Sequence, residues 1–359
     1  MGEEHEEKKT PESTSDTAAE EAVAAAAEEA VAGAAGATGN AADDAIADAA
    51  EEAAEESTSD GPSGDDPLVR SQEFDADGPL ELDVGVTIGR VELALDRESG
   101  ASVELRHDLG EQPPWMTGVN TLLSWVGERF GDQFGVTTDS SPVDAVRQAR
   151  MEKTGNRLVV RAAKAWQLRN VPVAVTVHAP KGSHVEVRAG AADVTVTGPA
   201  GRADILTGSG EVTLEQADGA AIVRTGTGRV KLGPTPAGLQ LRTGSGSVEA
   251  AAVSGSATLA TGTGSVWLGS VEGEVMARTG SGDLSVAEAG SGSLELITGS
   301  GEVRVGIRRG VAAEVELASA AGRVHSELDV SDTPPEAGAA LRVRARTGTG
   351  NAVVTRAAS

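Results

Sequence analysis

The sequence has no cysteine and no tyrosine among its 359 residues, and only three phenylalanines and four tryptophans. Without cysteine the chain can form no disulfide, thiolate nucleophile or thiolate metal site. So few aromatic side chains disfavour a bulky globular core. The 46 glycines favour tight turns, so we expect thin layers of valine, leucine and alanine between glycine corners.

Long hydrophobic runs are also missing. No stretch approaches the roughly 20 apolar residues that a membrane helix needs. The first ten residues are charged and lack the apolar run of a secretory signal peptide. We therefore expect a cytoplasmic protein with no transmembrane segment, and surface exposure stays open as the alternative.

Negative charge is concentrated at the beginning of the chain. Of the 55 acidic and 30 basic residues, 20 acidic residues and two lysines fall within residues 1–66, which leaves 35 acidic and 28 basic residues for the rest. The first part therefore carries a net charge of −18 out of the total of −25. Such a charge repels phosphate backbones, so the sequence disfavours nucleic acid as a partner.

Residues 1–66 consist mainly of Ala, Glu, Asp, Ser, Thr and Gly. This composition cannot bury enough apolar surface to offset the entropy of ordering the chain. We expect a disordered acidic tail. Its role is either to solvate the protein or to fold onto a partner.

Residues 67–178 form the second predicted region, which begins the strand stack. Apolar and polar residues alternate in Leu80–Val84, Val91–Leu95 and Val103–His107, which predicts half-buried strands. Further strands are predicted at residues 157–162 and 171–178, and a short helical turn at 142–150. Apolar residues at helical spacing over residues 117–134 predict an amphipathic helix, which we expect to cap the open end of the stack; docking to a partner or membrane is the alternative.

Residues 179–359 contain a repeated phrase, Thr-Gly-Ser/Thr-Gly. Five copies 18 residues apart begin at Thr207, Thr225, Thr243, Thr261 and Thr279, two later copies begin at Thr298 and Thr347, and degenerate copies begin at Ala189 and Ser319. A fixed short period is the signature of a repeat architecture, in which each unit packs on its neighbours.

Each repeat holds two short strands between glycine corners. Positions five and seven after the threonine are apolar, as in Val212 and Leu214, and so are positions 14 and 16, as in Ala221 and Val223. Eighteen residues suffice for one coil of two strands and two corners. The predicted fold class is all-β, an elongated β-solenoid in which each coil pairs with the next. A meander of antiparallel hairpins is the alternative.

These features resemble a bacterial family of unknown function, the putative-adhesin domain with β-strand repeats. The resemblance rests on Leu80–Leu95, on the repeated Thr-Gly-Ser-Gly-x-Val units and on Val343–Val354, and it covers residues 74–359. It implies a β-repeat fold and an adhesive role. It supplies no catalytic residues.

Nothing in the sequence predicts an enzyme, a cofactor or a metal. The Gly-x-Gly pairs open strands, as at Gly208–Leu214, whereas a dinucleotide fingerprint opens a helix. The aspartates share no common repeat position, so they do not form the calcium ladder of a regular roll. The five histidines show no ligand-type spacing.

Two outward features remain as candidate partner-binding residues. Repeat position 17 holds Arg188, Arg224, Arg242 and Arg278, and position 6 holds Trp267. Arginine and tryptophan are enriched at interface hot spots, but ion pairs with acidic residues on adjacent coils would account for the arginines equally well. We therefore expect a non-catalytic scaffold or module that binds a protein partner. The alternatives are an adhesin that binds protein or carbohydrate, and a structural polymer that binds itself.

Overall fold

The computed structural model of the protein describes residues 68–108, 141–163, 168, 171–328 and 338–358. Both the tail 1–66 and the helix predicted at residues 117–134 lie outside these residues. The described part is almost entirely β-structure, with a single short helix. The predicted all-β solenoid class is confirmed.

Twenty strands and one helix make up this part of the chain. In chain order they are β1 Val69–Phe74, β2 Glu81–Arg97, β3 Ala101–His107, α1 Pro142–Arg147, β4 Arg150–Thr154, β5 Arg157–Arg161, β6 Val173–Pro180, β7 His184–Ala200, β8 Arg202–Ser209, β9 Val212–Ala217, β10 Ala221–Thr227, β11 Val230–Leu232, β12 Leu239–Ser245, β13 Val248–Thr263, β14 Val266–Ser281, β15 Leu284–Ser300, β16 Val303–Ile307, β17 Ala313–Ser319, β18 Val324–Ser326, β19 Leu341–Thr347 and β20 Ala352–Arg356.

Successive coils pair in parallel, each residue lying on its counterpart one repeat away. Thr243 of β12 pairs with Thr261 of β13, which pairs with Thr279 of β14. Within β14, Val266 and Leu268 point into the core near its start, and Val275 and Ala277 do so near its end. Burying a valine or leucine side chain contributes about 1.5–3 kcal/mol. The repeated aliphatic positions thus form one continuous core.

The glycines of the repeated phrase are required by the close stacking of the coils. A Cβ added to Gly280 would lie 2.6 Å from the carbonyl oxygen of Gly262, and one added to Gly282 would lie 2.3 Å from that of Gly264. Gly282 also has a φ of +137°, which side chains rarely adopt. The phrase therefore serves both the turn and the contact between turns.

The threonine of the phrase is buried at the same corner. Thr279 Oγ1 lies 3.1 Å from the carbonyl oxygen of Ser281 in its own coil and 3.1 Å from that of Gly264 in the preceding coil. Its hydroxyl can donate to either oxygen, so it ties the corner together. The threonines of successive phrases are likewise buried, so they form a ladder inside the corner.

The last coils do not stack in sequence order, which corrects the expectation that each coil pairs with the next. Strand β19 lies between β15 and β17, so Glu295, Arg344 and Glu316 occupy adjacent positions in one row. Direct pairing of β15 with β17 in the same register would place Glu295 beside Glu316. Inserting an arginine strand between two acidic ones avoids that like-charge contact, which is destabilising when the residues lie opposite each other.

Antiparallel strands close the other end of the stack. One side of β2 pairs with β7, and its other side pairs with β5 and β6. Three further strands pair in antiparallel fashion: β4 with β5, β3 with β6, and β1 with β3. Arg70 donates to the carbonyl oxygens of Arg147 at 3.1 Å and Ala149 at 2.7 Å, which joins β1 to the end of α1.

Candidate interaction surface

The four predicted arginines lie in one row on the outside of the solenoid. Arg224 pairs directly with Arg242, and the row extends in both directions through single intervening residues. In spatial order it reads Arg161, Gly85, Arg188, Leu206, Arg224, Arg242, Ala260, Arg278, Ile297, Arg346 and Ala318. We call this line of residues the arginine row. Neighbouring positions are about 4.8 Å apart.

The arginines on either side of the central pair, Arg224 and Arg242, are paired with acidic residues. Arg188 contacts Glu186, Arg278 Nη2 lies 3.8 Å from Glu295 Oε1, and Arg346 Nη2 lies 2.9 Å from Glu316 Oε1. The alternative explanation of the arginines by ion pairs therefore holds for these positions.

The two central arginines differ from the others. Arg224 and Arg242 are exposed, and neither has an acidic side chain within ion-pair distance among the described residues. Strands β10 and β12, and residues 257–263 of β13, contain no aspartate or glutamate. Two guanidinium groups therefore occupy adjacent coils with no ion pair of their own among the described residues, although strand β8 on the other side of Arg224 carries Asp204 beside Ile222.

Partly exposed apolar side chains lie near this pair, together with polar ones. Leu206, which precedes Arg224 in the row, is 44% exposed. The parallel row beside it reads Asp204, Ile222, Gln240, Thr258, Met276 and Glu295, and its apolar members Ile222 and Met276 are half-buried. Exposed arginine interleaved with partly exposed aliphatic side chains is typical of a protein-binding surface.

A groove of about 250 Å³ lies near the start of the arginine row. Asp83 is its most buried acid, with 5% of its side chain exposed. Asp83 Oδ2 accepts a hydrogen bond from Arg157 at 2.7 Å and Oδ1 accepts one from Arg161. Burial raises the pKa of Asp83, but the hydrogen bonds and charges of Arg157 and Arg161 outweigh it, so the net pKa is lowered. Asp83 is therefore an ionised structural residue that holds two strands together.

Arg161 reaches Asp83 by crossing a glycine. A Cβ added to Gly85 would lie 2.6 Å from Arg161 Nη1, so only glycine leaves room for this side chain. Sequence reasoning did not predict this pair because Asp83 and Arg161 are 78 residues apart and outside the repeats.

Trp267 lies apart from the arginine row. It is 46% exposed, and the strand register places it between Glu249 and Ser285. Its ring lies against Gly269, where an added Cβ would be 3.2 Å from Trp267 Cη2. The structure thus does not bring Trp267 together with the arginines, and it forms a separate exposed feature.

The described residues offer neither a metal site nor a membrane-spanning helix. They contain no group of three or more histidine, aspartate or glutamate side chains arranged to hold a metal ion. No helix in that part of the chain is long and apolar enough to cross a membrane.

The glycine corners and parallel coils agree with a sequence comparison. The profile of the Toastrack DUF4097 family matches residues 131–352. The chain belongs to this family. Toastrack DUF4097 is a domain of unknown function with a β-solenoid-like fold, and the resemblance drawn from the repeats is thereby confirmed.

Solved structures similar to this Toastrack chain are distant. They include a putative adhesin from Bacteroides fragilis (12% identity, 80% of this chain and 96% of that chain covered, TM-score 0.36). Another is a putative adhesin from Parabacteroides distasonis (13% identity, 81% and 98% covered, TM-score 0.29). A third is a putative lipid binding protein from the same species (12% identity, 80% and 97% covered, TM-score 0.26). These values are too low to transfer a property to this chain, and no curated protein matches it.

Proposed function

We propose that this Toastrack chain is a non-catalytic binding module, and that Arg224 and Arg242 bind an acidic segment of a protein partner. The observation that carries the proposal is the adjacency of these two exposed arginines, neither of which has an acidic side chain within ion-pair distance among the described residues. The other arginines of the row already pair with acidic residues of the chain itself. An external carboxylate would therefore bind most favourably at the central pair, where it competes with no ion pair of the described residues.

The chemistry of the side chains favours a carboxylate partner. A guanidinium group binds a carboxylate through two parallel hydrogen bonds, and it remains charged at all physiological pH values. The partly exposed Leu206, Ile222 and Met276 would supply apolar contact beside the charged pair. A partner segment that alternates acidic and aliphatic residues fits both features.

The test uses a fluorescein-labelled peptide of alternating glutamate and leucine with the full chain. We expect the double variant Arg224→Gln/Arg242→Gln to weaken binding at least about tenfold, since each charged hydrogen bond contributes about 1.5–3 kcal/mol. Arg229→Gln is the matched control, because Arg229 is an exposed arginine at a corner outside the row. Binding that is absent, or equally weakened by the control, would overturn the proposal.

Trp267 supports a second candidate function, adhesion to a protein or a carbohydrate. An exposed tryptophan offers a rigid apolar plane for a sugar ring or a partner side chain. A panel of immobilised glycans probed with the full chain and with Trp267→Ala tests this function. Glycan binding that disappears in the variant supports it, and no binding by the unmodified chain argues against it.

A further inference from the structure

Strand β17 forms an open edge at the end of the solenoid opposite to α1. Among the described strands, β17 pairs only with β19, and β18 pairs only with β20. Val315 and Leu317 of β17 point towards the core but are only half-buried, in contrast to the fully buried valines and leucines of the inner coils. Val324 of β18 is 50% exposed. The described residues therefore cover the end coil incompletely.

The hydrogen bonds to β19 show which backbone groups of β17 face outward. Ala320 N–H donates to the carbonyl oxygen of Thr347, and Leu341 N–H donates to that of Ala312. In a parallel ladder every second residue bonds to a given neighbour. Even-numbered residues of β17 therefore face β19, and Val315 and Leu317 point their N–H and C=O groups at the open edge.

Within the described part of the chain, this edge lacks the features that block strand pairing. Proteins protect edges with charged side chains, especially lysine, with proline, with bulges or with a covering helix or loop. Strand β17 contains no lysine, arginine or proline, and its two acids are already bonded: Glu314 to Arg342, and Glu316 to Arg344 and Arg346. At the opposite end, edge strand β4 carries Arg150 and Lys153.

We propose that the β17 edges of two copies of this chain pair in antiparallel fashion about a twofold axis. The two ends of the solenoid differ, since one is closed by antiparallel strands and the other is an open parallel coil. Head-to-tail stacking would thus join unlike edges, whereas two identical open edges meet in a closed, self-complementary contact. The occupant of the edge is a second copy, and the assembly ends at a dimer.

Charge selects one register for this pairing. Centring the twofold on Val315 places Glu314 opposite Glu316 twice, and centring it on Glu316 places that residue opposite its own counterpart. Centring it on Leu317 places Glu316 opposite Ala318 and Val315 opposite Ser319, so no two carboxylates face each other. In this register Leu317 meets its counterpart in a hydrogen-bonded pair, with Cα atoms about 5.5 Å apart.

Single cysteines in the full chain test the register, since the chain contains no other cysteine. A Cα separation of about 5.5 Å suits a disulfide. We expect Leu317→Cys to give a covalent dimer under mild oxidation. Val315→Cys is the control. In the proposed register, position 315 faces Ser319 of the other copy, so the two introduced cysteines are four residues apart along the strands and the variant remains monomeric on a denaturing gel. Equal cross-linking of both variants, or of neither, would overturn the register.

Charge variants at Ala318 test the dimer itself by sedimentation equilibrium of the full chain. Ala318→Glu faces Glu316 of the other copy, so we expect the dimer dissociation constant to rise at least about tenfold; Ala318→Lys lowers it. The glutamate also lies beside Arg346 of its own chain, so unfolding does not explain a weaker dimer. Ala260→Glu, in the same row but in an inner coil, leaves the constant unchanged. A monomer at all concentrations up to about 200 μM, or no effect of charge at position 318, would overturn the proposal.

Discussion

Arg344 donates a hydrogen bond from Nε to Glu316 Oε2 at 2.8 Å, although Glu316 precedes Arg344 in the chain and lies beyond it in the stack. The pair marks the place where spatial order departs from sequence order. Arg344 lies between Glu295 and Glu316, so it offsets the charge of strands on both sides. Electrostatics thus contributes to the choice of strand order, which the repeated phrase alone does not determine.

Arg344→Glu tests this role of charge in strand order. The substitution places three carboxylates side by side in adjacent strands, and like charges opposite each other destabilise a sheet. We expect amide hydrogen exchange in β17 and β18 to accelerate at least about tenfold while β10 and β12 stay unchanged, because repeat proteins open locally from their ends. Arg304→Glu, whose row neighbours are Ser285 and Val353, is the control. Unchanged exchange in β17 would contradict the role given to Arg344.

Asp83→Asn tests the buried ion pair that joins β2 to β5. Removing the charge leaves Arg157 and Arg161 without their shared carboxylate. We expect a loss of about 1–2 kcal/mol in the free energy of unfolding by urea; the loss stays modest because both arginines are partly exposed to screening solvent. Asp96→Asn removes an exposed carboxylate near His178 and is expected to change stability by less than about 0.5 kcal/mol. Equal effects of the two substitutions would contradict the assignment.

The pH dependence of the same pair follows from the lowered pKa of Asp83. A carboxyl whose pKa is lower in the folded state stabilises the fold at pH values above its unfolded pKa, and this contribution is lost as pH falls through the folded value. We expect the stability difference between the unmodified chain and Asp83→Asn to be constant from about pH 7 to pH 5 and to shrink below about pH 4. Urea unfolding at each pH measures it. A difference that grows on acidification would have the wrong sign.

Gly282→Ala tests the steric account of the repeated phrase. The added methyl group would lie 2.3 Å from a carbonyl oxygen of the preceding coil, in a backbone conformation that alanine rarely adopts. We expect a loss of about 2–3 kcal/mol in the free energy of unfolding. Gly78→Ala is the control, since nothing lies within 4 Å of its added Cβ and its φ is not in the left-handed region. A tolerated Gly282→Ala would mean that the coils can separate to admit a methyl group.

Trp267→Ala separates the two candidate surfaces. Trp267 is on a different row from Arg224 and Arg242, so its removal leaves binding of the glutamate–leucine peptide unchanged within about twofold. We also expect a stability change below about 1 kcal/mol, because nearly half of the residue is exposed. Fluorescence anisotropy measures the binding, and urea unfolding the stability. Lost peptide binding would place the site at the tryptophan instead.

The sequence alone predicted the repeated coils and the alignment of Arg188, Arg224, Arg242 and Arg278, because an 18-residue period places equivalent positions in one row. It did not reveal that Arg161 and Arg346 extend this row. They belong to β5 and β19, which join the stack out of sequence order. Periodicity describes neighbours one repeat apart, whereas these pairings depend on long-range packing and charge.

The position of Trp267 shows a second limit of sequence reasoning. Repeat position identified it as outward-facing, which its 46% exposure agrees with. It did not show that the tryptophan lies on a different row from the arginines, because one repeat has outward positions on two strands separated by a corner. Placing two outward residues on one surface needs the path of the chain between them.

The central claim is that Arg224 and Arg242 contact an acidic segment, and arginine-directed chemical footprinting tests it most directly. The full chain is treated with phenylglyoxal with and without saturating glutamate–leucine peptide, and modification of each arginine is followed by mass spectrometry. We predict that the peptide slows modification of Arg224 and Arg242 several-fold and leaves Arg229 unchanged. Equal protection of all three arginines, or no protection while the peptide is bound, would contradict the claim.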